Sequence, residues 1–227
     1  MRLHRFIGSF ELSQKTLVIS DKDLLNQWRN VLRLENGDQL TLSDGQGSEA
    51  TATIIESDKK AITLSIEETV VPNREPKKAV TLYCALLKRE NFELVCQKAT
   101  EIGIARIVPV LSERTIKTGF NRVRLEKIIS EACEQSGRTT IPELAEPMKF
   151  AEAIEYACGP ASVFFDLSGK EGIEMKGISN IFIGPEGGWS EGEVSLAKSS
   201  DATIASLGKL TMRGETAAIV ASFLATR

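Results

Sequence analysis

The sequence predicts a two-part α/β protein, with a β-rich front segment over residues 1–72 and a strand–helix alternation over 73–227. Three observations carry this. Short alternating or β-branched runs recur through the first segment, separated by turn residues, as in a small barrel. Val71-Pro72-Asn73-Arg74-Glu75-Pro76 then places two prolines within six residues beside charges, which marks a boundary. From Ala79 onward, apolar runs of strand length alternate with segments of helical period, which builds a parallel sheet with helices on both faces.

In the front segment the strand runs are Thr16–Ile19, Gln39–Leu42, Ala50–Ile55 and Ala61–Ile66, and a helix from Asp21 to Leu32 with Ser20 as its cap interrupts them. Its arginines, Arg2, Arg5, Arg29 and Arg33, read either as solubilising surface residues or as phosphate contacts. In the second segment, strands are expected at Ala79–Leu86, Ile104–Val110, Ala161–Asp166, Ile178–Ile183 and Ala202–Leu207. Helices are expected over Lys88–Ile102, Arg122–Gln135, Phe150–Ala157, Glu191–Ser199 and Thr216–Thr226. In the first of these, Phe92, Val95, Cys96, Ala99 and Ile102 share a face and Gly103 closes it. Ser190 with Glu193 three residues on is a capping box for the fourth.

The composition, 42% hydrophobic and 26% charged, is that of a globular protein, without an apolar run long enough to cross a membrane. No leader pattern precedes the first residues, so a cytoplasmic location is expected. Cys84, Cys96, Cys133 and Cys158 are widely spaced and His4 is the single histidine. That excludes a zinc site and a Ser-His-Asp triad and leaves the cysteines as small core residues in a reducing compartment. A net charge of −3 argues against a generic nucleic-acid coat protein. Between Arg106 and Lys127, however, six basic residues (Arg106, Arg114, Lys117, Arg122, Arg124, Lys127) face only Glu113 and Glu126. This stretch is either a solvated helix face or a patch turned toward RNA.

Three turns follow strands in the last third: Asp166–Gly169, Gly184–Gly188 and Leu207–Arg213. Strand ends of a parallel sheet share one edge, so the three turns are placed to line one pocket. The middle one, Gly184-Pro185-Glu186-Gly187-Gly188, has neither the Gly-x-Gly-x-x-Gly of a dinucleotide fold nor the lysine of a phosphate loop. If it is more than an ordinary turn, its ligand is flat, not strongly anionic and held by backbone. An adenosine-type cofactor without phosphate, such as S-adenosylmethionine, suits it.

Taken in order, Val31-Leu32-Arg33 with Gly37-Asp38, Lys98-Ala-Thr-Glu-Ile-Gly103, Ser112-Glu-Arg114, Glu131 to Arg138 with Ile141-Pro142, Ile183 to Gly188, and Leu207-Gly208 to Arg213-x-Glu215-Thr216-Ala217 resemble the RsmE family. These are 16S ribosomal RNA (uracil-N3)-methyltransferases of the SPOUT superfamily. The resemblance spans nearly the whole chain, although Trp28 and Asn30 stand where family members often carry histidine. It implies a PUA-like barrel that holds RNA over 1–72 and a SPOUT domain with a C-terminal trefoil knot over 73–227. It also implies a homodimer, S-adenosylmethionine as cofactor, no metal, and one uridine of the small ribosomal subunit as target. Cofactor contacts would fall on Leu167, Gly184, Pro185, Glu186, Gly187, Gly188, Leu207, Gly208, Leu210 and Thr216. RNA contacts would fall on Arg2, Arg5, Arg33, Arg114 and Arg138. Uracil N3 carries a proton on the pairing edge, so the base must be splayed out and the proton must leave. Arg213 would stabilise the charge that spreads to O2 and O4, and Glu215 would orient Arg213, or accept the proton. Arg213 and Glu215 also read as a salt-bridged helix start. The rival readings are a SPOUT enzyme acting on tRNA or on a ribose hydroxyl, and a non-catalytic RNA-binding module.

Overall fold

A computed structural model describes residues 3–115, 119–157 and 159–227; Arg2, Lys117 and Cys158 lie outside the described residues. Two compact units are present. One comprises Met1–Glu75 together with Cys133–Ile141, the other Pro76–Ala132 together with Pro142–Arg227.

The first unit is a five-stranded sheet of β1 (His4–Ile7), β2 (Thr16–Ile19), β3 (Gln39–Ser43), β4 (Glu49–Ser57) and β5 (Ile62–Val70) in the order β1-β3-β4-β5-β2. Only β1 and β3 pair in parallel. β4 buries alternate residues, Ala50, Ala52 and Ile54, as a strand with one wet face must. The helix is shorter than its apolar pattern predicts. α1 (Lys22–Asn26) is capped by Asp21, not Ser20, whose neighbour accepts from the amides of Asp23 and Leu24. It then widens into a π-helical turn over Gln27–Val31. That turn carries Trp28 into the core, fully buried against Phe6 at 4.9 Å between ring centroids.

The segment Cys133–Ile141 belongs to this unit through Glu75. One oxygen of Glu75 takes the Arg138 guanidinium at 2.9 Å, and the other accepts from the amides of Thr139 and Thr140.

The second unit has strands β6 (Thr81–Ala85), β7 (Arg106–Leu111), β8 (Glu143–Leu144), β9 (Met148–Lys149), β10 (Ser162–Glu171), β11 (Asn180–Ile183) and β12 (Thr203–Ser206). Their order is β12-β10-β11-β6-β7-β8, with β9 also on β7, and every pairing is parallel. The helices are α2 (Arg89–Ile102), α3 (Arg122–Ser136), α4 (Phe150–Ala157), α5 (Glu191–Ser199) and α6 (Gly214–Ala225). One sheet face presents Tyr83, Val108, Phe164 and Phe182, and α4 and α5 add Phe150 and Ala197 to that core. Tyr83 stacks on Phe182 at 4.5 Å. α6 packs on α2 and against β6 and β11. On α2 the buried face includes Thr100, whose hydroxyl is satisfied on the Cys96 carbonyl at 2.7 Å, while Ile102 is half-buried.

β10 departs most from expectation. It does not turn at Asp166 but runs on to Glu171. Phe165 pairs with Ala205, and after an irregularity Lys170 pairs with Ala205 again. The chain therefore leaves β12 and returns to it at the same residue. A side chain at Gly169 would collide with the backbone of Ala205, so only glycine permits the return.

Candidate active site

The parallel register places the break in β10 after Phe165 beside the exits of β11 and β12, so two of the expected turns and an irregular stretch of strand meet at one place. They surround one cavity of about 590 Å³, a volume suited to a cofactor. Phe165, Asp166 and Leu167 line it from β10, Ile183 to Glu186 with Gly188 and Trp189 from β11, and Ser206 to Gly208 with Leu210 to Glu215 from β12 and α6. Lys88 and Asn91 complete the lining from the start of α2. The sequence reading missed these two. Their signal was the same as for the other turns, since Lys88 follows a buried strand at its carboxyl end.

The middle turn is held from below by an indole. Trp189 is 5% exposed, stacks on Phe164 at 4.6 Å, and donates from Nε1 to the Phe165 carbonyl at 3.1 Å. A Cβ at Gly184 would stand 3.0 Å from the indole Cε2 and Nε1, so the turn lies on the ring with no room for a methyl group. Gly188, at φ +69°, closes the turn with its amide on the Pro185 carbonyl at 2.9 Å. The Glu186 carboxylate accepts from the Lys88 amide at 3.1 Å and thereby sits at the positive end of α2. Glu193 is buried and does two jobs. It accepts from the Ser190 amide, completing the expected capping box, and from the Glu113 amide at 3.0 Å.

Of the residues expected at the cofactor, Leu167, Gly184, Pro185, Glu186, Gly188, Leu207, Gly208 and Leu210 line the cavity. Gly187 does not; its carbonyl faces away and accepts from Arg114 Nη1 at 2.9 Å. Thr216 lies exposed on α6, outside the lining. Arg213 and Glu215 both line it, but they form no ion pair with each other among the described residues. Arg213 is the N-cap residue of α6, which begins at Gly214, two residues earlier than expected, and Arg213 is exposed. Glu215 is 8% exposed, and its Oε2 has no hydrogen-bond partner among the described residues.

The expected RNA contacts are scattered. Arg33 is exposed, at φ +56°, beside an open hollow that Arg29, Asn30, Leu34 and Glu35 also line. Arg5 pairs with Glu49, which also takes Arg74. Arg138 is buried, with its guanidinium on Glu75, so it serves the first unit's interior rather than an open surface. Arg114 is exposed but engaged with the Gly187 carbonyl.

Comparison with known proteins accords with this geometry. The family profile of an RNA methyltransferase domain matches residues 73–225, and that of an RNA methyltransferase PUA domain matches residues 29–67. Ribosomal RNA small subunit methyltransferase E of Synechocystis is 35% identical over 87% of this chain and 68% of its own length. The Bacillus subtilis protein of the same name is 29% identical over 85% of this chain and 82% of its own. Two solved structures superpose with a TM-score of 0.88. One is a Legionella pneumophila methyltransferase with bound S-adenosylmethionine, 31% identical over 98% of this chain and 96% of its own. The other is the Neisseria gonorrhoeae ribosomal RNA small subunit methyltransferase E bound to S-adenosylmethionine, 29% identical over 97% and 95%. With its cavity where three parallel strands meet and both profiles matched in order, this chain belongs to the ribosomal RNA small subunit methyltransferase E family of RNA methyltransferases.

Proposed function

We propose that this enzyme transfers a methyl group from S-adenosylmethionine to N3 of one uridine in the 16S ribosomal RNA of the small subunit. The observation that carries the reading is the buried Glu215 carboxylate, with Oε2 unpaired among the described residues, facing a cavity enclosed by the turns after β11 and β12 and the irregular stretch of β10. The charges of the lining suit this cofactor. Among the described lining residues, Asp166, Glu186 and Glu215 are set against Lys88 and Arg213, a balance unfavourable to a polyphosphate and favourable to a ligand bearing positive charge. The backbone of the Gly184–Gly188 and Leu207–Leu210 turns would hold its flat ring, with Leu167 against it.

When bound, the cofactor supplies an electrophilic methyl group on a sulfonium. The remaining tasks fall to the chain. Glu215 lies in the first turn of α6 and lines the cavity, placed to accept the proton from uracil N3–H. As that proton moves to Glu215, the negative charge left on the base spreads over O2 and O4. Arg213, unpaired with Glu215, is free to donate to those oxygens as their charge grows. The acceptor role of Glu215 is thus preferred to the orienting one. The apolar cavity walls, Phe165, Ile183 and Trp189, exclude water and strengthen both interactions.

The finer architecture belongs to the same reading. The return of β10 to Ala205 supports a knotted C-terminal region, and the five-strand order of the first unit supports a PUA-like barrel over residues 1–72. The methyltransferase domain then spans 73–227. Exposed Leu210, Leu167, Phe223 and Leu224 support a homodimer that covers the cavity mouth. Arg33 is the preferred phosphate contact on the first unit.

The test is methyl incorporation from labelled cofactor into small subunits that lack the modification, followed by digestion to nucleosides, with Arg213→Ala in parallel. The expected product is 3-methyluridine, with the rate lowered about a hundredfold in the variant. A methylated ribose, or transfer only to tRNA, would overturn the reading.

A further inference from the structure

The short segment Ser112–Thr115, after β7, is fastened to the cavity's middle turn at two points. Arg114 Nη1 donates to the Gly187 carbonyl at 2.9 Å. The Glu113 amide donates to Glu193 Oε1 at 3.0 Å, and the other oxygen of Glu193 holds the Ser190 amide at 2.8 Å. The segment is itself closed, since the Ser112 amide donates to Thr115 Oγ1 at 3.0 Å. A Cβ built on Gly187 would lie 3.6 Å from both Cβ and Cδ of Arg114, so the arginine stem passes close beside the turn. On its other side the turn is held by Glu186 on the Lys88 amide.

A turn that grips a flat ligand with backbone groups has no side chains to compensate for a misplaced peptide plane, so whatever fixes the Gly187–Gly188 plane fixes the grip. A guanidinium hydrogen bond to a carbonyl is a strong, charge-assisted anchor for such a plane.

We infer that Arg114 is a positioning residue for the cofactor turn: through the Gly187 carbonyl it sets S-adenosylmethionine affinity, and it is not a phosphate contact for RNA. This rests on the function proposed above. It also assigns Glu113 and Glu193 to the same clamp, so the loop after β7 and the helix start of α5 act on the cofactor together.

The test compares wild type, Arg114→Ala and Arg114→Lys as full-length proteins. Cofactor binding is measured by calorimetry with S-adenosylmethionine alone, ribosomal RNA binding across a salt series, and unfolding without ligand. Removing the anchor is expected to weaken cofactor binding about tenfold. RNA affinity and its salt slope stay as in wild type, the cofactor-free unfolding midpoint is unchanged, and lysine, which can still donate to the carbonyl, restores part of the binding. Two results would overturn the inference. In one, cofactor affinity is unchanged while the slope of log affinity against log salt falls by about 1, as for a lost phosphate contact. In the other, the unfolding midpoint drops with cofactor affinity intact, which is a purely structural role. Wild-type protein that binds no S-adenosylmethionine would instead refute the function on which the inference rests.

Discussion

Gly184→Ala tests whether the cavity's middle turn is seated on Trp189. The added methyl group would lie 3.0 Å from Cε2 and Nε1 of the indole and 3.2 Å from Cδ1, several tenths of an ångström inside ordinary contact. The ring has nowhere to go. Phe164 stacks on it at 4.6 Å, Phe150 packs at 5.0 Å, and Nε1 is tied to the Phe165 carbonyl. Either the indole shifts and strains that packing, or the turn lifts. Forcing one extra carbon into such a site costs about 1–3 kcal/mol. For a chain of this length each kcal/mol lowers the melting midpoint by about 2–4 °C, so a drop of roughly 4–8 °C is expected at the middle of the range. The assay pairs thermal unfolding with cofactor titration, because a lifted turn should also lose affinity. A variant that melts with wild type and binds cofactor equally well would show that the turn does not rest on the indole.

Two further outcomes follow from the electrostatics. Hydrogen bonds from Arg124, and then from Arg89, hold the Glu93 carboxyl down at about 2, against an ordinary 4.5. A carboxyl depressed on folding stabilises the protein above its unfolded value and loses that contribution as pH falls toward its folded one. Wild type should therefore unfold at higher denaturant than Glu93→Gln near neutral pH, and the gap should close between about pH 4.5 and pH 2; a gap that does not change with pH would refute the assignment. Burial pushes the thiols of Cys96 and Cys133 up to about 12 and raises Cys84 as well. In a Cys158→Ser background, a disulfide reagent at pH 8 should label native protein negligibly and unfolded protein at all three sites. Rapid native labelling at any of them would contradict the packing.

The parts that were legible in the sequence are those whose signal is local. Ser190 with Glu193 announces α5 because both partners of the capping box lie within one turn. The runs that became β6 and β11 are buried on both faces and read as unbroken apolar stretches. What was not legible depends on residues far apart. The far half of β10, Asp-Leu-Ser-Gly-Lys-Glu, is polar enough for a turn, and only its return to Ala205 makes it a strand. Arg138 was expected at the RNA, and its burial on Glu75 could not be read because that partner lies 63 residues away. Asp21 took the cap from Ser20 since both residue types cap well and one residue of register decides between them. At the site, proximity in sequence suggested that Arg213 and Glu215 pair. One is instead the exposed N-cap and the other is buried in the first helical turn, and although both line the cavity they form no ion pair with each other among the described residues.

In the proposed mechanism that separation gives the site its chemistry. Had the two residues paired, each would have neutralised the other, and the cavity would hold an ion pair with little reason to engage a ligand. Apart, they form a buried acceptor and an exposed cationic donor along one wall. A buried acceptor without a partner costs about 1–3 kcal/mol in the folded protein. A fold retains such a group where a ligand relieves the penalty, and uracil, unlike cytosine, offers a hydrogen at N3. Glu215→Gln keeps the size of the side chain and removes the charge. It takes one of the three carboxylate charges from the cavity, so cofactor affinity should fall only modestly, while the rate of transfer at saturating RNA and cofactor falls by about a hundredfold. A variant that loses cofactor binding with its rate would place the carboxylate against the cofactor, and the assignment of Glu215 to the uracil proton would fall.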